Sequence, residues 1–162
     1  MFGMGKKDDP AQKAKEAAIE RGKQTVREFV HKIARAEPEA AEKMSQQLRD
    51  WCGSDKDLPF EFKRKAMLRA KVLECSVNMR ACDTLLHQAV AQATEGMIKE
   101  KIATLGEARK FFGRACKLGA EDDWRKAFKR TEETIQLTGS ADRDRPTRAK
   151  PEPLPDASKP PV

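Results

Sequence analysis

The chain has 162 residues, one domain's worth, with a net charge of +7, 36% charged residues, 6% aromatic residues and no Tyr. No stretch approaches the ~18 apolar residues of a membrane-crossing helix, and Met-Phe-Gly-Met-Gly-Lys-Lys-Asp-Asp-Pro at the start lacks the apolar run of a secretory signal. A hydrophobic share of 38% fits narrow apolar seams on long helices better than a thick core.

Residues 1–9 form a short apolar and basic head with Phe2, Met4, Lys6 and Lys7. Asp9-Pro10 has the signature of a helix start, Asp as N-cap and Pro in the first turn. The spacing of Ile19, Gly22, Val26, Phe29, Ile33 and Ala36 predicts a helix to about Ala36 with one apolar seam. Lys13, Lys15, Arg21, Lys23, Arg27, Lys32 and Arg35 occupy its other faces, and residues 1–36 carry net +4. Glu37-Pro38-Glu39 breaks that helix, because Pro lacks the amide and disfavours helix in the residue before it. A second helix is expected to about Trp51, with Ala41, Met44, Leu48 and Trp51 on one face, followed by a loop over Gly53–Pro59.

The clearest periodicity begins at Phe60. Leu68, Val72, Cys75, Met79, Cys82, Leu86, Ala89, Ala93 and Met97 recur at heptad spacing and predict a helix of more than 30 residues, continuing to Leu105 if Gly96 is absorbed. We expect it to pack against the 10–36 helix as an antiparallel hairpin. Lys63, Arg64, Lys65, Arg69 and Lys71 cluster at its start, and residues 60–118 carry net +6. Two smaller helices follow, one ending at Gly119 and one running from Asp122 or Asp123 to Gly139. From Ser140 onward six of the nine prolines occur, with Leu154 the single large apolar side chain before the last residue, so residues 140–162 read as a disordered Pro-rich tail. No alternating Val/Ile/Thr-rich run marks a strand. The expected fold is all-α: an elongated antiparallel helical hairpin over a 10–139 helical domain, with smaller C-terminal helices and the tail.

The four cysteines, Cys52, Cys75, Cys82 and Cys116, show no C-x-x-C spacing, and His31 and His87 stand apart. The expectation is no metal site, no cofactor and reduced, half-buried thiols of a cytoplasmic protein. Gly22-Lys23-Gln24-Thr25 lies mid-helix and lacks the upstream glycine of a phosphate loop. Asp122-Asp123 and Glu132-Glu133 fall at a helix start or on a solvated face. No catalytic constellation is present, so the expectation is a protein that is not an enzyme. Basic helices can bind nucleic acid, an anionic membrane surface or acidic partner helices, or simply be solvated. Nucleic acid is disfavoured by the lack of Tyr and of aromatic residues interleaved with the basic ones.

Phe2-Gly3-Met4-Gly5-Lys6-Lys7 followed by Asp9-Pro10, the stretch from Met67 through Met79, and Ala93-Thr94-Glu95-Gly96-Met97-Ile98-Lys99 together resemble the ESCRT-III (charged multivesicular body protein) family, in its Vps2-type branch. The resemblance covers about residues 2–105. The chain is short for that family, the Trp51–Pro59 segment interrupts the hairpin, and residues 119–139 are only net −1. The stretch from Gly106 to Gly119 also resembles one helix of a tetratricopeptide-type repeat, without the repeat period a solenoid needs.

The ESCRT-III resemblance implies a peripheral, filament-forming protein of membrane remodelling and vesicle sorting at the endosome. Phe2, Met4, Lys6, Lys7, Lys13, Lys15 and Arg21 would meet the anionic membrane surface, and the chain would self-associate into polymers. It also implies that the tail, through Pro153, Leu154, Pro155 and Pro160, binds a helical domain of a disassembling AAA ATPase. The alternative readings are a soluble helical adaptor or scaffold whose seam docks on a partner helix, or a non-specific nucleic-acid binder.

Overall fold

The computed structural model describes residues 9–139. Asp9 accepts a hydrogen bond from the Ala11 amide at 3.1 Å and Pro10 opens α1 (Pro10–Arg35). Ala36 turns extended and Pro38 begins α2 (Pro38–Ser54). After Pro59 comes α3 (Phe60–Thr94), of 35 residues, roughly 52 Å at about 1.5 Å per residue. Gly96, at a φ of +76°, makes the turn into α4 (Ile98–Lys117). That left-handed conformation suits glycine because it has no Cβ. Asp122 and Asp123 sit in the first turn of α5 (Asp122–Leu137), where carboxylates complement the helix dipole.

Contacts between helices fix their directions. Arg80 donates from Nη2 to the Ala34 carbonyl at 2.6 Å, and a Cβ on Gly22 would stand 2.9 Å from the Phe62 ring. α1 therefore runs alongside α3 in the same direction, and the missing side chain of Gly22 makes room for Phe62 and Leu58. Pro38 shares a groove with Val77 and Arg80, while Arg49 reaches Glu74 at 3.8 Å, so α2 runs back along α3. Cys75 Sγ lies 3.5 Å from the Ala115 carbonyl, which makes α4 antiparallel to α3 as well. Trp124 donates from Nε1 to Asp83 at 3.2 Å, and α5 again follows α3.

The chain is thus up-down-up-down-up, and α3 belongs to two three-helix units on opposite faces. Ala66, Ala70 and Val77 pack with Val26, Ile33, Ala41, Leu48 and Cys52 of α1 and α2. Cys82, Leu86, Ala89 and Ala93 pack with Leu105, Ala108, Phe128 and Ile135 of α4 and α5. Val77 and Leu86 are nine residues apart, which is half a turn out of phase at 3.6 residues per turn. Lys101 is buried at 4% exposure and its Nζ donates to the Ile135 and Thr138 carbonyls, at 3.2 and 2.9 Å. It thereby caps the C-terminal end of α5, where backbone carbonyls lack helical partners.

The all-α expectation holds, as does a helix longer than 30 residues from Phe60. Antiparallel hairpins build the fold, but α3 makes them with α2 and α4, not with α1. The two short connections force this: a helix that returns after each turn places the first and third in parallel. Two boundaries also move. α2 continues through Gly53 and Ser54, and the long helix stops at Thr94 because Gly96 turns rather than continuing the helix. The heptad seam is only partly buried: Leu68 is 61% and Val72 56% exposed, since α4 ends before reaching them.

Leu48 is fully buried, so Leu48→Ala should lower unfolding free energy by about 2–5 kcal/mol. Leu68→Ser, on the same apparent seam pattern, should change it by less than about 0.5 kcal/mol. Urea unfolding followed by circular dichroism measures both. Lys101→Met should cost about 1–3 kcal/mol by leaving the α5 carbonyls without a donor, read in the same experiment.

Candidate functional site

The basic residues of α1 and α3 meet in space because the two helices run in the same direction. Lys23 and Arg27 are one turn apart on α1, and Lys65 and Arg69 are one turn apart on α3. Together they border a groove of about 290 Å³, whose other lining residues are Val26, Phe62 and Ala66. No carboxylate lines it. Lys23 donates to Glu20 at 2.6 Å, and that hydrogen bond and charge hold the Glu20 carboxyl below its ordinary range. Arg27, Lys65 and Arg69 make no ion pair among the described residues. Four cations around an apolar floor can bind an anionic group and cover an attached apolar segment.

Of the residues expected at a membrane, Lys13, Lys15 and Arg21 are exposed on α1. Arg21 lies two residues before Lys23, a spacing that places side chains on opposite sides of a helix, so it stands away from the groove. Phe2, Met4, Lys6 and Lys7 lie outside the described residues, as do Pro153, Leu154, Pro155 and Pro160 of the tail. Phe62 and the pairing of Lys23 and Arg27 with Lys65 and Arg69 were not singled out from sequence. The repeated four-residue spacing of basic residues on both helices is the signal that could have found them.

A second concavity, of about 510 Å³, opens where the α1–α2 turn faces α3 and α4. Val77, Ala81, Leu85 and Phe111 line it, with Arg35 and Arg80 at the rim. It lies where α2 and α4 flank α3 without close approach of their backbones.

Nothing in the described residues assembles nucleophilic chemistry. His87 is exposed and its Nδ1 lies 2.7 Å from the Asp83 carbonyl of its own helix, and His31 is exposed on α1. No three His, Cys, Asp or Glu side chains among the described residues are grouped to hold a metal ion. Burial raises the thiols of Cys52 and Cys75 above the ordinary value and pushes Cys82 up to about 12. No helix of the described residues is long and apolar enough to cross a membrane.

Neither a family model, nor a characterised protein, nor a solved structure matches the chain.

A raised thiol pKa leaves less reactive thiolate at pH 8. The folded protein should therefore show one rapidly reacting thiol with Ellman's reagent, the half-exposed Cys116. The other three should react only as the protein opens, and all four at once in denaturant. Rapid labelling of Cys82 in the folded state would contradict its burial.

Proposed function

We propose that this is a non-enzymatic, peripheral protein of the ESCRT-III type that docks on anionic membrane surfaces through the α1–α3 groove and assembles there. The observation that carries this reading is the groove itself, with Lys23, Arg27, Lys65 and Arg69 around Phe62 and no carboxylate. Each Lys or Arg near an anionic surface contributes about 1 kcal/mol; with Lys23 engaged by Glu20, the other three give about 3 kcal/mol, an affinity of several millimolar per chain. Weak single-chain binding of this size becomes firm only when many chains act together, which is why assembly is part of the proposal. Phe2 and Met4 would add shallow insertion, and the tail around Leu154 would recruit the disassembling ATPase.

A second reading, a soluble helical adaptor, is favoured by two features. Leu68 and Val72 continue the α3 seam past the end of α4 into solvent, and the 510 Å³ concavity offers an apolar floor bordered by Arg35, Glu37 and Arg80.

Co-sedimentation with vesicles containing phosphatidylserine separates the two readings. The protein should pellet at low salt and be released as salt rises, because exposed charges are screened within ~10 Å at 0.1 M. Lys65→Glu with Arg69→Glu should weaken binding by about 2 kcal/mol or more, roughly 30-fold, while Arg21→Glu should have a smaller effect. Negative-stain microscopy of the pelleted vesicles should show filaments. A discrete soluble species that ignores anionic vesicles supports the adaptor.

A further inference from the structure

The apolar seam of α3 is covered along only part of its length. Cys75 and Met79 on that seam meet the end of α4: Cys75 is buried with Ala115 and Ala120, and Met79 and Leu118 pack against them. One and two turns earlier the seam continues as Val72 and Leu68, which are 56% and 61% exposed. α4 ends at Lys117, and Gly119, at a φ of +93°, turns the chain towards α5, which packs on the second half of α3. Single apolar side chains on a surface need no explanation. These two form one stripe, in line with a seam that a helix already covers farther along.

The flanks of the stripe are basic. In the heptad that puts Leu68 at d and Val72 at a, Arg69 is e, Arg64 and Lys71 are g, and Lys65 is the preceding a. All four are exposed. Arg69 and Lys71 make no ion pair among the described residues. Glu61 is the single carboxylate between Phe60 and Leu73, and it pairs with Arg64 at 3.4 Å.

We propose that Leu68 and Val72, with Arg64, Lys65, Arg69 and Lys71 around them, form a docking surface for an acidic amphipathic helix of another protein. That helix lies where α4 would have continued. It sets its apolar a and d residues on Leu68 and Val72 and carries Glu or Asp at its own e and g positions. Charges at e and g select the partner of a helical seam. A second copy is the wrong occupant, because a two-fold contact would set a basic flank against a basic flank. A lipid surface also attracts cations, but it does not account for a stripe in register with a helix–helix seam. At about 100° per residue, Lys65 and Arg69 stand on the side of the stripe that faces the α1–α3 groove, and Arg64 and Lys71 stand on the other. The proposal therefore does not rest on the membrane reading.

The probe is a fluorescein-labelled peptide of three heptads with Leu at a and d and Glu at e and g, whose like charges discourage it from pairing with itself. A twin carries Lys in place of Glu. Fluorescence anisotropy is read as the full chain is added at low salt. Wild type should bind the Glu peptide at least about tenfold more tightly than the Lys twin. Leu68→Ser with Val72→Ser should weaken the Glu peptide by about tenfold or more and leave urea unfolding unchanged, since both side chains are exposed. Arg64→Glu with Lys71→Glu should reverse the preference between the two peptides, while vesicle binding through the groove persists. Binding indifferent to Leu68 and Val72, or equal for the two peptides, overturns the proposal. A dimer in sedimentation velocity that the serine variant loses overturns it in favour of a second copy. A wild type that ignores both peptides overturns it as well, and if phosphatidylserine vesicles then release the serine variant, the stripe belongs to lipid.

Discussion

Everything in this fold depends on α3 being buried twice. A helix of 35 residues with one apolar stripe would need a partner of equal length. None of the other helices is that long; α1, the longest, has 26 residues. The chain resolves this by using both faces, the first half of α3 against α1 and α2 and the second half against α4 and α5. Small residues make it possible. Ala66, Ala70, Ala89 and Ala93 let neighbouring helices come close on either side, so a chain with few aromatics still reaches a packed interior.

Polar groups inside the bundle tie the helix ends and the interfaces. Lys101 is buried with its Nζ donating to two carbonyls of α5. Glu74, on the α2-facing side of α3, is held opposite Arg49, and the Trp124 indole reaches across to Asp83. Trp124 also stacks on Phe112 at 5.5 Å and Phe112 on Phe128 at 4.0 Å. One aromatic group thus joins α4 to α5, and the indole hydrogen bond fixes that pair on α3. Such contacts have geometric requirements that alkyl packing lacks, and they select one register among several that would bury equal area.

The same architecture explains where charge accumulates. Because α1 and α3 run in the same direction, their basic residues at four-residue intervals come side by side rather than being dispersed around the bundle. Had α1 packed antiparallel, Lys23 and Arg27 would have faced a different stretch of α3. The proposed membrane role therefore has its origin in the up-down-up-down-up path, at its α1–α3 face.

The amino-acid sequence determined by itself that the protein is helical and where most of its helices begin and end. Asp9-Pro10, Glu37-Pro38, Pro59 and Gly119 act locally, through φ restriction, missing amides and capping, and local effects are visible in a single chain. The seam on α1 through Gly22, Val26 and Ile33 was legible for the same reason. What only the tertiary structure decided was which stripe of α3 is buried at each level and which helix covers it. Leu68 and Val72 carry the same heptad signal as Leu86, yet they face water because α4 stops short of them. Ala66 and Ala70 carry almost no signal, yet they are core because α1 and α2 lie on that side. Periodicity records that a face is apolar, whereas burial depends on the length and direction of the neighbours. The groove of Lys23, Arg27, Lys65 and Arg69 joins residues some 40 positions apart. Only the packing of two helices could bring them together.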